Sequence, residues 1–494
     1  MKHYLGISAG FHDAAASVVR EDGTILFAGH SERYSKIKND SSLHLSLLKE
    51  CCNWEYDTVA FYERPWIHNI QQWVSRQKRY GPWTTRGALQ EHLGPWYRNM
   101  ALREVCYPHH LSHAAAGFQT SPFNEAAVVV IDAIGELDTI SIYKAHYDDN
   151  GQAQYHKLWG QRYPHSIGLF YSAITDAVGL KPMEEEYITM GMAAYGGTSQ
   201  LEKMCRNFLV NIKKVQFRHN NHAGIDPVYF NGMSMPDIAA CAQSITETLI
   251  TNVIQKAQAL TGLTNLVYMG GVALNCVANG KLGKYFNNIW IMPCPGDAGS
   301  SLGAAALAFG GRVNWTNAFL GHDMPGPYPV NATVDVLSRD RIAGVANGRA
   351  EFGPRALGNR SLLADPRGND IKYKVNEIKR RQKFRPFAPV ILEEHVNDYF
   401  EMPFGYFNSR YMQITAVCKS PALYPAIVHV DDTSRVQTVP QDGSGIRQLL
   451  EAWYAKTGCP MLLNTSLNIR GEPMVNDRKD ANRFEDLYKV KVLS

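Results

Sequence analysis

A duplicated α/β architecture followed by a second α/β domain is what this 494-residue sequence predicts. Two observations carry the expectation. LGISAG (5–10), AAASVVRED (14–22) and TILFAGHSE (24–32) read as three short strands, and the layout returns in VVVIDAIG (128–135), TISIYKAHYDD (139–149) and QYHKLWGQRYP (154–164). Beyond residue 340 the composition shifts to a region dense in Arg, Gly and Asn, which reads as a separate domain.

Each element has a local reason. Asp22-Gly23 is a hairpin turn pair. The first strand of each triplet runs into a Gly-containing turn, with Asp13 and Asp132 in or near it. Two β-β-β units, each followed by helices, predict a duplicated domain of the actin/sugar-kinase (ASKHA) type. In such a domain nucleotide lies in a cleft and Gly-rich turns receive phosphate. Residues 236–260 repeat apolar positions at three and four, a helix. NLVYMGG (265–271) is a strand ending in Gly270-Gly271, where backbone can approach a ligand closely. NIWIMPCPGDAGSSLGAAALAFG (288–310) is strand, turn and helix, with Asp297 at the helix start. Residues 311–340, with MPGPYP, read as a linker. The expected domains are therefore 1–335 and 341–494.

Composition excludes several classes. Hydrophobic content of 45% and charge of 19% describe a globular chain with sizeable cores. No apolar run reaches membrane-spanning length, and MKHYLGISAG lacks the apolar core of a secretory signal, so no membrane role and a cytoplasmic setting are expected. Nine Cys without a paired C-x-x-C frame read as reduced thiols. The net charge of +4 demands no polyanion, but it is unevenly spread. Residues 372–385 carry seven Lys/Arg against Glu377, and 63–104 carry seven against three Glu together with Trp66, Trp73, Trp83 and Trp96. Such a stretch can stack bases and track phosphates, or be a solvated helical face over packed Trp.

The sharpest chemical signal is His109-x-x-x-His113 with Asp132. Two His at i and i+4 share a helix face, and Asp132 ends the buried run AAVVVI. A helical His pair is more often core than ligand, but imidazole plus carboxylate suits Zn or Fe(II). Asp297 reads equally as a helix cap, a metal ligand or a phosphate contact. His12, in GFHDAA, is a turn-stabilising or catalytic His. Walker and Rossmann fingerprints are absent. In the C-terminal region GRAEFGPRALGNRS (348–361) holds Arg349, Arg355, Asn359 and Arg360. FRPFAPVIL adds Arg385, HVDDTSRVQTV adds His429, Arg435 and Gln437, and NTSLN adds Asn464 and Ser466. Guanidinium forks and short donors between glycines describe an anion site, the alternative being internal ion pairs.

GISAGFHDAAASVV, HHLSHAAAGFQTSPF, MGGVALNCVANGKL, GDAGSSLGAA, GRAEFGPRALGNRSLLADPR, FRPFAPVIL, HVDDTSRVQTV and LLNTSLNIRGEP occur in one order along nearly the whole chain. That order resembles the O-carbamoyltransferases of nodulation-factor and antibiotic biosynthesis (the NodU/CmcH family). The resemblance implies an actin-like domain related to the tRNA threonylcarbamoyl-transfer subunit, followed by a YrdC-like domain. The YrdC-like site would bind carbamoyl phosphate through Arg349, Arg355, Asn359, Arg360, Arg385, His429, Arg435, Gln437, Asn464 and Ser466 and, with ATP and Mg²⁺, make carbamoyl adenylate. The actin-like site would bind ATP or adenylate at Gly135, Gly270, Gly271, Asn275 and Gly296. It would transfer the carbamoyl group to an acceptor hydroxyl; His12 and Asp13 here, and Arg355 in the activating site, would be the catalytic residues. Iron, Fe(II) or another divalent ion, would be held by His109, His113, Asp132 and Asp297. The acceptor is expected to be a sugar or antibiotic hydroxyl, or a hydroxymethyl pyrimidine in DNA; a homodimer is compatible with the sequence. The rivals are a threonylcarbamoyl-type tRNA modification enzyme and a non-catalytic nucleotide- and metal-binding protein. The chain departs from the family pattern at Ile188, where Lys is usual, at Ser31 in the SER triplet, and at Asp432, where Gly is usual.

Overall fold

The computed structural model describes all residues except 52, 75–80, 100, 369, 382–384 and 386. The basic stretches 63–104 and 372–385 therefore lie partly outside the described residues. The chain forms two compact units. Unit 1 comprises Met1–Ala28 and Ser41–Thr316; unit 2 comprises Gly29–Asp40 and Asn317–Ser494.

Unit 1 contains two five-stranded sheets. The first uses β1 (His3–Ser8), β2 (Ala15–Arg20), β3 (Ile25–His30), β4 (Tyr56–Phe61) and β5 (Ala101–Cys106). The second uses β6 (Glu125–Gly135), β7 (Asp138–Tyr147), β8 (Ala153–Arg162), β9 (Asn265–Met269) and β10 (Asn288–Trp290). Their orders are β3-β2-β1-β4-β5 and β8-β7-β6-β9-β10, one topology used twice. In each, an antiparallel β-β-β meander is extended by parallel strands beyond its first member. The duplicated α/β arrangement expected from the strand triplets is thus present.

Small residues bring the helices of unit 1 close. A Cβ on Gly303, in the Asp297–Phe309 helix, would lie 1.8 Å from the Ser112 carbonyl of the His109–Phe118 helix. A Cβ on Gly6 of β1 would meet the Ser301 carbonyl at 1.9 Å. The Asp297–Phe309 helix, DAGSSLGAAALAF, is therefore wedged between β1 and the helix carrying the His pair, and larger residues would force them apart. The 27-residue helix Met235–Thr261, capped by Ser234, buries Ile245, Leu249 and Val253 against Val129 and Ile131 of β6.

Unit 2 is built on a six-stranded sheet. With β11 (Phe319–Met324), β12 (Ile342–Ala346), β13 (Gly348–Glu351), β14 (Arg360–Ala364), β15 (Ala388–Leu392), β16 (Gln437–Val439), β17 (Met461–Ser466) and β18 (Val492–Leu493), its order is β16-β15-β17-β14-β12-β18, while β11 pairs with β13. Both faces are covered. Leu362 and Leu463 join a cluster with Phe387 and Phe484, and their neighbours Leu363 and Leu462 join one with Leu449 and Trp453 on the other side. The expected linker over 311–340 is corrected here: it contains β11 and the Val330–Asp340 helix, whose Val334 and Leu337 pack on this sheet. The compact units accordingly part at 316/317 rather than between 335 and 341. Segment 29–40 is tied into unit 2 by side chains. His30 Nε2 accepts from the Gly353 N–H at 2.9 Å, Arg33 Nη2 donates to the Gly353 carbonyl at 2.8 Å, and Lys36 pairs with Asp480.

Candidate metal centre

The site in unit 1 is assembled from strand ends and helix starts. Asp132 lies near the end of β6, His109 and His113 open the helix after β5, and Asp297 is the first residue of the small-residue helix. All four are buried. Asp132 Oδ1 accepts from the N–H groups of Ala133 at 2.8 Å and Gly271 at 3.3 Å, so the other oxygen is aimed away from the backbone. That Oδ2 lies 3.3 Å from His109 Nε2 and 3.2 Å from His113 Nε2. Asp297 Oδ1 lies 3.4 and 3.2 Å from the same two nitrogens, which are 3.1 Å apart.

Five edges between donor atoms thus fall near the ~3.3–3.4 Å edge of a tetrahedron with metal–ligand bonds of about 2.0–2.1 Å. All four donors lie within 4.8 Å of one another. His113 Nδ1 is 3.0 Å from the Pro295 carbonyl, which assigns its proton to Nδ1 and leaves the Nε2 lone pair facing the cluster. The donor set fits a divalent cation.

Glycines permit this convergence. A Cβ on Gly135 would lie 2.4 Å from His109 Cδ2 and 2.5 Å from His110 Cδ2. Gly270 has φ +91°, its N–H donates to the Pro295 carbonyl at 2.9 Å, and a Cβ there would meet the Ile131 carbonyl at 2.2 Å. Two glycines expected at nucleotide therefore make direct room for the cluster, and Gly271 holds Asp132. Gly296 is the N-cap of the Asp297 helix. Asn275 accepts from the Ala278 N–H at 3.1 Å and exchanges two 3.0 Å hydrogen bonds with Gln243.

The buried imidazoles and carboxylates shift one another's protonation. Burial opposes charge on His109 and His113, yet Asp297 and Asp132 outweigh it and raise both pKa values. Burial likewise disfavours ionised Asp132 and Asp297, but the facing imidazoles hold both below the ordinary range. His12 stands at the edge, its side chain 26% exposed. Its Nδ1 is 3.0 Å from Asp13 Oδ2, and its Nε2 is 3.7 Å from Asp297 Oδ2. Burial lowers its pKa, but Asp297 and Asp13 prevail and push it up to about 9. Asp13 has φ +53°, so the turn that orients His12 is strained.

One acid at this site was absent from the sequence expectations. Glu63, just beyond β4, places Oε2 3.5 Å from His109 Nδ1 and Oε1 3.1 Å from His68 Nδ1. Its signal was available: Glu63 follows the buried run VAFY, much as Asp132 ends a buried strand.

The C-terminal candidates lie in unit 2, around the segment from β13 to β14. Arg360 is fully buried, and its donors reach the carbonyls of Asn476, Asn347, Asn359 and His322. Arg349 donates to the carbonyls of Leu320 and Gly321, and Asn359 to that of Arg349. Glu351, also absent from the expectations, takes the N–H groups of Leu357, Asn359 and Arg360 on one oxygen at 2.9–3.1 Å and so shapes the loop carrying Arg355. Arg355 and Arg385 are partly exposed. Gln437 donates to the Leu357 carbonyl, and Asn464 donates to Gln437 Oε1 at 2.8 Å and to the Ala356 carbonyl at 3.0 Å. Ser466 Oγ is 2.6 Å from Asn468 Oδ1, and Lys379 donates to the carbonyls of both residues. His429 Nδ1 faces Asp431 at 3.5 Å, and Arg435 lies between β15 and β16 in sequence.

The chain thus combines a duplicated α/β unit holding a buried His₂Asp₂ cluster with a second α/β unit rich in Arg and Asn. Comparisons assign the family. Residues 58–306 match the carbamoyltransferase N-terminus model and 334–494 the carbamoyltransferase C-terminus model, so the chain belongs to the carbamoyltransferase family and is a transferase. It is 34% identical to the uncharacterized protein sll1178 of Synechocystis sp., over 98% of this chain and 94% of that protein. It is 30% identical to nodulation protein NolNO of Sinorhizobium fredii (95% and 76%) and 30% identical to 3'-hydroxymethylcephem-O-carbamoyltransferase of Amycolatopsis lactamdurans (75% and 76%). Among the described residues no helix is long and apolar enough to cross a membrane.

Proposed function

We propose that this chain is an ATP-dependent O-carbamoyltransferase that works in two half-reactions. In the first, carbamoyl phosphate loses its phosphate to water, and the carbamate oxygen attacks the α-phosphate of Mg²⁺-ATP. Pyrophosphate leaves and carbamoyl adenylate forms. Arg355, Arg385, Asn464 and Ser466 of unit 2, which we take to be YrdC-like, bind the phosphate and carbamoyl groups. Arg349, Asn359 and Arg360 build the loop around them.

In the second half-reaction the acceptor hydroxyl attacks the carbamoyl carbon, AMP leaves, and the product is a carbamate ester. His12, held at Nδ1 by Asp13, acts through Nε2 as general base on the hydroxyl when neutral, or as a donor to the developing oxyanion when protonated. His109, His113, Asp132 and Asp297 would hold Fe(II) or another divalent ion, which would supply Lewis-acid polarisation to the transfer step. The observation that carries this reading is His12 beside a four-donor cluster in which five donor–donor distances are 3.1–3.4 Å.

The cephem relative is named for a hydroxymethyl acceptor, which favours a primary alcohol on a small molecule here too. A second acceptor class, a hydroxymethyl pyrimidine in single-stranded or flipped-out DNA, draws support from Trp66, Trp73 and Trp83, exposed by 40%, 70% and 59%. The test is pyrophosphate release that requires carbamoyl phosphate, followed by mass spectrometry of an acceptor panel for a gain of one HNCO unit. Steep loss of acceptor binding with salt would select DNA over a neutral alcohol. No pyrophosphate release with any acceptor would overturn the reading.

A further inference from the structure

His113 has its outer nitrogen on a backbone carbonyl, whereas His109 has a carboxylate there. Glu63 Oε2 lies 3.5 Å from His109 Nδ1, a nitrogen that is fully buried and makes no closed hydrogen bond. At that distance the contact is an ion pair one small adjustment from a hydrogen bond. The other oxygen of Glu63 is 3.1 Å from His68 Nδ1, and His68 Nε2 meets Gln72 Nε2 at 3.4 Å. A line Gln72–His68–Glu63–His109 thus runs from the Pro65–Val74 helix to the donor cluster.

From this line we infer that Glu63 is a positioning residue for the metal: it fixes the Nδ1–H tautomer of His109 and so presents Nε2 to the cation, while His68 holds Glu63 in place. The inference rests on the metal reading given above.

Three further observations support it. First, the charges balance. Asp132 and Asp297 neutralise a divalent ion, which leaves Glu63 as an extra buried negative charge. His68 supplies its counterpart, because burial lowers the His68 pKa but the hydrogen bond and charge of Glu63 outweigh that and raise it. Second, one carboxylate faces both imidazoles, with Oε2 toward His109 and Oε1 toward His68, and its side chain is only 9% exposed. Third, the backbone fixes the position. Ser112 Oγ donates to the Tyr62 carbonyl at 2.8 Å, joining the end of β4 to the first turn of the His helix, and the next residue, Arg64, is pinned by Glu136. Carboxylate–imidazole–metal triads orient the ring and strengthen the ligand, and their loss typically weakens metal binding about 10- to 100-fold.

The experiment uses the full chain, stripped of metal and titrated with Co(II) against a chromophoric chelator. Wild type should take up one Co(II) with the visible bands of a low-coordinate site. Glu63→Ala should bind roughly 100-fold more weakly and Glu63→Gln, which keeps volume and an acceptor oxygen but loses the charge, roughly 10-fold. The Co(II) bands should shift in Glu63→Ala, a change that general loosening of the fold would not give at unchanged melting temperature of the metal-free protein. If Glu63→Ala does not fold, Glu63→Gln and His68→Gln carry the test, both expected to weaken binding. Affinities within twofold of wild type and unchanged bands in the folded variants would overturn the inference alone. Wild-type protein that takes up no Co(II) would overturn the metal reading and the inference together.

Discussion

The buried polar cluster of unit 1 and that of unit 2 differ in where their charged groups point. In unit 1 two imidazole nitrogens and two carboxylate oxygens turn toward one another, and the backbone satisfies only their far sides, through Ala133, Gly271 and Pro295. In unit 2 the most deeply buried cation turns toward the backbone: Arg360 serves four carbonyls and Glu351 three N–H groups. One arrangement leaves valence converging on a point; the other consumes it in holding a loop. Counting charged residues does not distinguish a site from its scaffold, whereas tracing which side of each group the backbone satisfies does.

That contrast can be broken by substitution. The largest effect is expected from Arg355→Ala and His113→Ala, which should each abolish product formation but by different routes. Arg355→Ala should stop pyrophosphate release and leave metal content intact, while His113→Ala should lose the metal and keep pyrophosphate release. Elemental analysis beside a pyrophosphate assay checks both, and parallel loss of the two readouts in either variant would merge the sites into one.

Next comes His12→Asn. Transfer to acceptor should fall by about 10²- to 10⁴-fold, the usual worth of a positioned base, with pyrophosphate release nearly unchanged. ATP would then be consumed without carbamoylated product. A variant that transfers normally would make His12 only a turn residue.

A stability measurement sharpens the other half of the comparison. Arg360→Met leaves buried carbonyls without donors at about 1–3 kcal/mol each, so a loss of several kcal/mol in denaturant unfolding is expected. Glu351→Gln should destabilise less, since an amide oxygen still accepts. Arg355→Ala, partly exposed, should stay within roughly 0.5 kcal/mol of wild type.

The smallest effect is on pH. His109 and His113 have raised pKa values without metal, so protons compete with the cation on the acid side. Metal affinity should fall progressively as pH is lowered, by about tenfold per unit for each proton displaced. For metal-free protein the sign is opposite at alkaline pH. His12 is raised from 6.5 to about 9, so its stabilising charge is fully present below 6.5 and is lost as pH rises through 9. Thermal melts of the stripped protein across pH 7–10 should show that decline.

Much of this was legible in the sequence, for identifiable reasons. The strand triplets were readable because β-branched runs broken by Gly turns mark meanders, and both returned as sheets of one order. The i,i+4 spacing of His109 and His113 survives folding because a helix preserves it. Glu63 was legible only as an acid after a buried run; that it reaches the site follows from the parallel pairing of β4 with β1 and β5, which no local pattern encodes. Segment 311–340 read as a linker because its helix shows only a narrow apolar face and its strand FLGHDM alternates poorly. Arg360 looked like a ligand because a sequence shows a donor's charge and never its acceptors.

The path of the chain sets the order in which the protein can be finished. His30 and Arg33 find their partner, Gly353, only after more than three hundred further residues have been made. Unit 2 therefore cannot be completed during synthesis until residues far downstream of segment 29–40 have been made. A split protein divided at 316/317 would therefore yield a C-terminal fragment lacking part of its own framework. Adding a peptide spanning 29–40 in trans should raise that fragment's helical and sheet content, a complementation visible by circular dichroism.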